Sequence, residues 1–190
     1  MRKATILEFF NNTAVLRGKH IKLRRKRIQD AIHEFHWRQD AELCELDAAA
    51  PISGTFEEYV HWHASSNGVG VNSYVLAIET LGGTHIGNCG CFNIDDVQRE
   101  VEIGIMIGEK AYWNHGYGED VLHTLVEGLL QNTHVQRIYL KTLDWNVRAH
   151  KCFEKCGFKS YDRMNRDGHS FIFMEIRRPA PAPGKEGKAK

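Results

Sequence analysis

The residues with the most pointed chemistry are Tyr112-Trp113-Asn114-His115-Gly116-Tyr117-Gly118. Two glycines at spacing two let the backbone fold so that several N–H groups point one way. The amphipathic helix that follows adds its own unpaired N–H groups and the positive end of its dipole. Such a turn is an anion cradle suited to a diphosphate. Most Gly-x-Gly turns are merely tight, and Glu119 and Asp120 suit the start of any helix, so this signal is weak alone.

A second constellation runs from Asn146 through Val147-Arg148-Ala149-His150-Lys151-Cys152-Phe153-Glu154-Lys155-Cys156 to Gly157-Phe158. Asn146 is a helix cap and Gly157 a left-handed stop, with Ala149, Cys152, Phe153 and Cys156 on one face. Upstream, Glu100 to Ile107 alternates strictly. Val101, Ile103, Ile105 and Ile107 take one face and Glu100, Glu102, Gly104 and Met106 the other.

Other elements must carry these segments. Strand patterns cover Lys19 to Leu23, Ser73 to Thr80, Ile86 to Phe92, Arg137 to Leu143, Phe158 to Met164 and Ser170 to Arg177. Helix patterns cover Ile28 to Trp37, a segment opened by the capping box Thr55/Glu58 and ending near Asn67-Gly68, and one with Leu122, Leu125, Val126 and Leu129 on its apolar face. The expected order is β-α-α-β-β-β-α-β-α-β-β. This is one α/β (α+β) domain with a mixed, mostly antiparallel sheet of about seven strands, and its central parallel pair is joined by a right-handed crossover. Residues 1–14 are expected as a short N-terminal helical extension, 15–177 as the domain, and 178–190, rich in Pro, Ala, Gly and Lys, as a disordered tail.

Together the two constellations resemble the GNAT superfamily of acetyl-CoA-dependent N-acetyltransferases. Trp113 to Gly118 matches the family's Gln/Arg-x-x-Gly-x-Gly/Ala loop. Trp in the leading place is typical of the branch acting on ribosomal-protein N-termini and polyamines. Asn146, Ala149, Phe153, Glu154, Lys155, Gly157 and Phe158 match its Asn-x-x-Ala/Ser helix ending in Lys-x-Gly-Phe. The resemblance covers roughly residues 15–177 in element order.

It implies that backbone groups of Ile105, Met106 and Ile107 pair with pantetheine as an added strand. It further implies that amides from Asn114, His115, Gly116, Tyr117, Gly118 and Glu119 hold the diphosphate. Asn146 would hold the pantetheine arm, with Ala149 and Phe153 lining the site near the thioester. Arg148, Lys151 or Lys155 would meet the 3′-phosphate or simply form a solvated face. The amine needs a proton acceptor, and Glu102 is the candidate because it faces away from the Val/Ile stripe just upstream of the cofactor end; a half-buried salt bridge fits it equally. Many relatives carry a tyrosine acid where this chain has Phe153, which leaves the leaving thiolate without that donor.

Lys and Arg number 25 against 24 Asp and Glu, a formal charge of +1, but the distribution is uneven. From Gln39 to Gln98 there are nine acids and no Lys or Arg. On that charge count and the family resemblance, His36, Trp37, Glu42, Glu45 and Asp47 are expected to select a cationic acceptor, whether polyamine, protein N-terminus or aminoglycoside; a solvated acidic face is the alternative. The function expected is acetyl transfer to a primary amine. A non-catalytic CoA-binding regulator is the alternative, and an RNA-binding role through Arg24-Arg25-Lys26-Arg27 a weaker one, since no aromatic platform accompanies that run and solubility or a CoA-phosphate contact explains it.

Composition is that of an ordinary globular protein, with 42% hydrophobic and 26% charged residues. No apolar run approaches a bilayer span and the N-terminus makes a poor signal peptide, so a cytoplasmic protein without membrane partners is expected. A homodimer stays open. Five cysteines then read as reduced thiols. Cys89-x-Cys91 and Cys152-x3-Cys156 share a strand face and a helix face, which argues against zinc, and no metal is expected.

Overall fold

Alternation and capping place nearly every element where the sequence suggests. The computed structural model describes residues 3–66 and 69–179. In chain order these form α1 (Ile6–Asn12), β1 (Val15–Arg17), β2 (Ile21–Arg25), α2 (Ala31–Gln39), α3 (Ala41–Leu46), α4 (Phe56–Ser66), β3 (Val69–Gly70) and β4 (Ser73–Thr80). There follow β5 (His85–Asp95), β6 (Glu100–Ile107), α5 (Tyr117–Asn132), β7 (Arg137–Leu143), α6 (Val147–Lys155), β8 (Lys159–Arg166) and β9 (His169–Arg177). Almost the whole tail expected beyond Arg178 lies outside the described residues.

The strands make one mixed sheet in the order β1-β2-β4-β5-β6-β7-β9-β8, with β3 paired to β4. Only β6 and β7 run parallel among the described strands. The sheet holds more strands than expected because β1 and β3 are only three and two residues long, too short for a period to show. A third helix, α3, also stands between α2 and α4. Asp40 ends α2 and caps α3, accepting the Leu43 N–H at 3.0 Å.

Strand alternation divides the molecule into two layers around the sheet. Leu23, Ile78, Cys89 and Ile103 face α1, α5 and α6 in a continuous apolar core. Helix α1 contributes Ile6, Phe9 and Phe10 to it, so the N-terminal helix is part of that packing. On the opposite face, beneath α2 and α4, sit buried polar groups. Arg24 holds Asp30 through two 2.7 Å hydrogen bonds and also donates to Glu79. Lys26 donates to Glu34 at 2.7 Å.

The reading of the basic run is therefore corrected for two of its four residues, while Arg25 and Arg27 are exposed. Arg24 and the Lys26 side chain are buried and bound to carboxylates, available neither to solvent nor to a phosphate. Their desolvation is compensated internally.

The parallel pair is short. Glu100, Val101 and Glu102 pair with Arg137, Ile138 and Tyr139, and the register goes no further. Beyond that point β6 stays with β5 as far as Ile107, while β7 stays with β9 along all seven of its residues. Strands that follow different partners in a twisted sheet must separate, and a fork opens between them. No helix among the described residues is long and apolar enough to cross a membrane.

Candidate active site

Two left-handed residues shape the cradle: Asn114 at φ 62° and Gly116 at φ 81°. They turn the chain from a 3-10 turn at Lys110–Tyr112 into α5, whose N-cap is Gly116, with no side-chain capping bond. Asp120 N–H is the first to be satisfied, by the Gly116 carbonyl at 3.0 Å. The amides of Asn114 through Glu119 meet no acceptor among the described residues. A run of unsatisfied N–H groups at a helix start is an anion site by construction. Acids at this terminus have other work: Asp120 accepts the Lys19 and His20 amides at 2.9 and 2.6 Å, and Glu119 pairs with Lys155 at 2.7 Å.

The cradle opens into a cleft of about 400 Å3. Ile105, Met106, Ile107, Trp113, Asn114, Gly116, Tyr117, Gly118, Glu119, Asn146, Ala149 and Phe153 all line it, as do Arg148, Lys151 and Lys155. His115 is exposed and does not line it; its Nδ1 lies 2.6 Å from the Trp113 carbonyl.

Backbone direction along β6 follows from one hydrogen bond. Gly108 N–H donates to Ile86 O at 2.8 Å. In an antiparallel ladder this makes Ile107 opposite Gly87 a non-bonded pair, so Ile105 and Ile107 direct N–H and C=O away from β5, into the fork. Met106 directs its own groups to β5. Gly87 is part of the reason this ladder closes, since a Cβ there would stand 2.1 Å from Met106 O. On the fork side the Ile107 carbonyl accepts the Trp113 indole N–H at 2.7 Å. Arg148 then covers the indole, its guanidinium 3.7 Å from the ring centroid, a cation–π contact.

On α6, Asn146 accepts the Ala149 N–H at 3.2 Å through Oδ1, and its Nδ2 bonds nothing among the described residues. Helices α5 and α6 pack closely beside the cradle, and a Cβ at Gly118 would come into ordinary contact with the Cys152 sulfur at 3.4 Å. The Cys156 thiol donates to the Glu119 carbonyl at 3.8 Å, and the neighbouring Cys152 thiol together with burial pushes Cys156 above the ordinary thiol range. Burial pushes Cys89 up to about 12 and Cys91 well above the usual thiol range, so these two are inert packing groups. Among the described residues no three His, Cys, Asp or Glu side chains gather as a metal set.

The residues expected to act on the acceptor do not converge. Glu102 stands at the root of the fork, its side chain 12% exposed, outside the cleft lining. Lys141 Nζ lies 3.0 Å from its Oε1, and Asn93 Nδ2 donates to Oε2 at 2.7 Å. Trp37 is buried and donates its indole N–H to Glu109 at 2.9 Å. His36 and Glu45 are exposed, and Glu42 pairs with Lys110 at 2.7 Å. Of that acidic group, Asp47 lines the cleft, with Arg38 at 3.1 Å. Tyr112, at the head of the glycine motif, lines it too, and the sequence reading passed over Leu43 and Leu46, which also do. The i, i+3 spacing of the two leucines after the Asp40 cap was the available signal.

The description "acetyltransferase (GNAT) domain" matches residues 20–159, and the chain belongs to this family. Solved structures share its fold at low identity. An acetyltransferase (GNAT family) from Bacillus anthracis superposes with a TM-score of 0.73 at 13% identity, over 86% of this chain and 98% of that one. Spermidine N-acetyltransferase from Vibrio cholerae, in complex with CoA and spermine, gives 0.70 at 17%, over 83% and 95%. Aminoglycoside acetyltransferase AAC(6')-Ib, in complex with coenzyme A, gives 0.69 at 20%, over 83% and 95%. A search of curated proteins found no match.

Proposed function

We propose that the protein transfers the acetyl group of acetyl-CoA to a primary amine by direct attack in a ternary complex. One observation carries this reading: the consecutive amides of residues 114–119 meet no acceptor among the described residues, and all of these residues but His115 line a cleft that also takes in Ile105 and Ile107, beside the fork between β6 and β7. In this reading the amides hold the diphosphate, and Ile105 and Ile107 offer main-chain groups to the pantetheine arm. Asn146 Nδ2 adds a donor to that arm, and Arg148, Lys151 and Lys155 supply positive charge for the 3′-phosphate.

The amine nitrogen forms a bond to the thioester carbon, the C–S bond breaks, and the CoA thiolate leaves. Gap-facing amides of β6 stabilise the oxyanion as it develops. The amine proton passes through water to Glu102, the carboxylate at the root of the fork. Phe153 supplies no proton, so water protonates the thiolate. Asp47 lines the cleft and offers a carboxylate to a cationic acceptor, and the spermidine and aminoglycoside enzymes of the same fold make polyamines and aminoglycosides candidates beside protein N-termini.

The test is calorimetric titration with CoA, then an acetyl-CoA turnover screen over polyamines, aminoglycosides and ribosomal-protein peptides. Acetylation of one class supports the enzyme, whereas absence of CoA binding rejects it. The hydroxyl missing at Phe153 and the two occupied oxygens of Glu102 favour a CoA-binding regulator as second reading, and binding without turnover on any acceptor would select it.

A further inference from the structure

The acidic corner between α2 and α3, expected to grip an acceptor, is attached instead to the segment that leads into the cradle. Four contacts make the attachment. The Trp37 indole lies flat on Gly108, where a Cβ would come within 2.2 to 2.6 Å of three ring atoms. Its N–H donates to Glu109 at 2.9 Å. Next in sequence, Lys110 reaches back to Asp40 at 2.8 Å and Glu42 at 2.7 Å, and its ammonium stands 5.8 Å from the Trp113 ring centroid. Gly108 and Glu109 amides share the Ile86 carbonyl at 2.8 and 3.1 Å, so the chain leaves β6 along a fixed course. Trp113, three residues past Lys110, then closes on Ile107.

We propose that Trp37 and Lys110 are positioning residues that hold the leading edge of the diphosphate cradle against the α2–α3 corner. The inference rests on the acetyl-CoA reading above and adds to it the part that sets the cradle's geometry. Neither side chain supplies a cradle amide. Both fix the 108–113 segment from which those amides are presented, and a binding loop ordered in advance does not have to be ordered by its ligand. The local negative charge of Asp40 and Glu42 is thereby spent on Lys110 rather than on a substrate cation.

The test compares CoA with pantetheine, which keeps the arm and lacks the diphosphate, on the full-length protein. Trp37→Phe removes the N–H, and Lys110→Met removes the ion pairs at a side chain 40% exposed, so the second variant carries the test if the first fails to fold. Calorimetry should give a CoA Kd raised about tenfold in each folded variant. The pantetheine Kd, followed by NMR titration, should change less than about twofold, and the melting temperature of Lys110→Met should match the wild type. CoA affinity unchanged in Lys110→Met, or an equal loss for CoA and pantetheine, would overturn the positioning role. Wild-type protein that takes up no CoA would instead overturn the reading beneath it.

Discussion

Glu102 illustrates how much a neighbour alters a side chain's meaning. Alternation along β6 places it correctly on the face away from the apolar core, but not that Lys141 and Asn93 would take one oxygen each. If it receives the amine proton through water, Glu102→Gln should lower kcat about 100-fold with KM for acetyl-CoA unchanged. Steady-state kinetics on the acceptor found by screening decides it, and a loss below threefold would assign the residue to the ion pair alone. Gly116 is constrained differently. At φ 81° a Cβ meets nothing within 4 Å, so Gly116→Ala isolates backbone strain. Urea unfolding should report a loss of about 1–2 kcal/mol, and CoA affinity should fall with it.

Elements were legible where a period could run. β4, β6 and β7 keep the bounds that alternation gives, and the Thr55/Glu58 capping box is present as hydrogen bonds of 2.8 and 3.3 Å. Short segments were not legible, because three residues of β1 or two of β3 establish no period. Nor was α3, where a single Asp40 both ends one helix and starts the next. Packing between elements leaves a strong prediction at Gly108. Gly108→Ala would drive a methyl into the Trp37 ring, and denaturant titration should show destabilisation of about 1–3 kcal/mol, the cost of overpacking. Gly118→Ala, whose Cβ only touches Cys152, should cost far less.

For the whole molecule, the buried charges under α2 and α4 govern response to pH. Burial, the largest cause for each, pushes the His85 and His63 imidazoles below the ordinary value near 6.5. A base whose folded pKa is depressed binds fewer protons folded than unfolded, so stability is present above about 6.5 and declines as pH falls below it. Asp30, Glu79 and Glu175 are also held below their ordinary values, by hydrogen bonds and charges from Arg24, Lys22, Arg27, Arg137 and Arg177 that outweigh burial. Their contribution is lost in a second, lower window, as pH falls below the usual carboxylate range. Urea midpoints should therefore drop from pH 7 to 5 and again below 4, and His85→Gln should flatten the first drop. Arg24→Met would leave Asp30 buried without its guanidinium and deprive Glu79 of one cation while Lys22 remains, and should cost about 3–5 kcal/mol in the same assay.

By itself the sequence determined what is local. Periods, caps, left-handed glycines and two motifs identified the strands and helices, the cradle and the α6 wall, because each is written within a dozen neighbouring residues. Tertiary structure decided which charges were already taken. The pairs Arg24 with Asp30, Lys110 with Asp40, Glu102 with Lys141 and Trp37 with Glu109 join residues that chain order keeps apart or on different elements. Electrostatic and hydrogen-bond partners are chosen by distance in space, and no spacing along the chain encodes that.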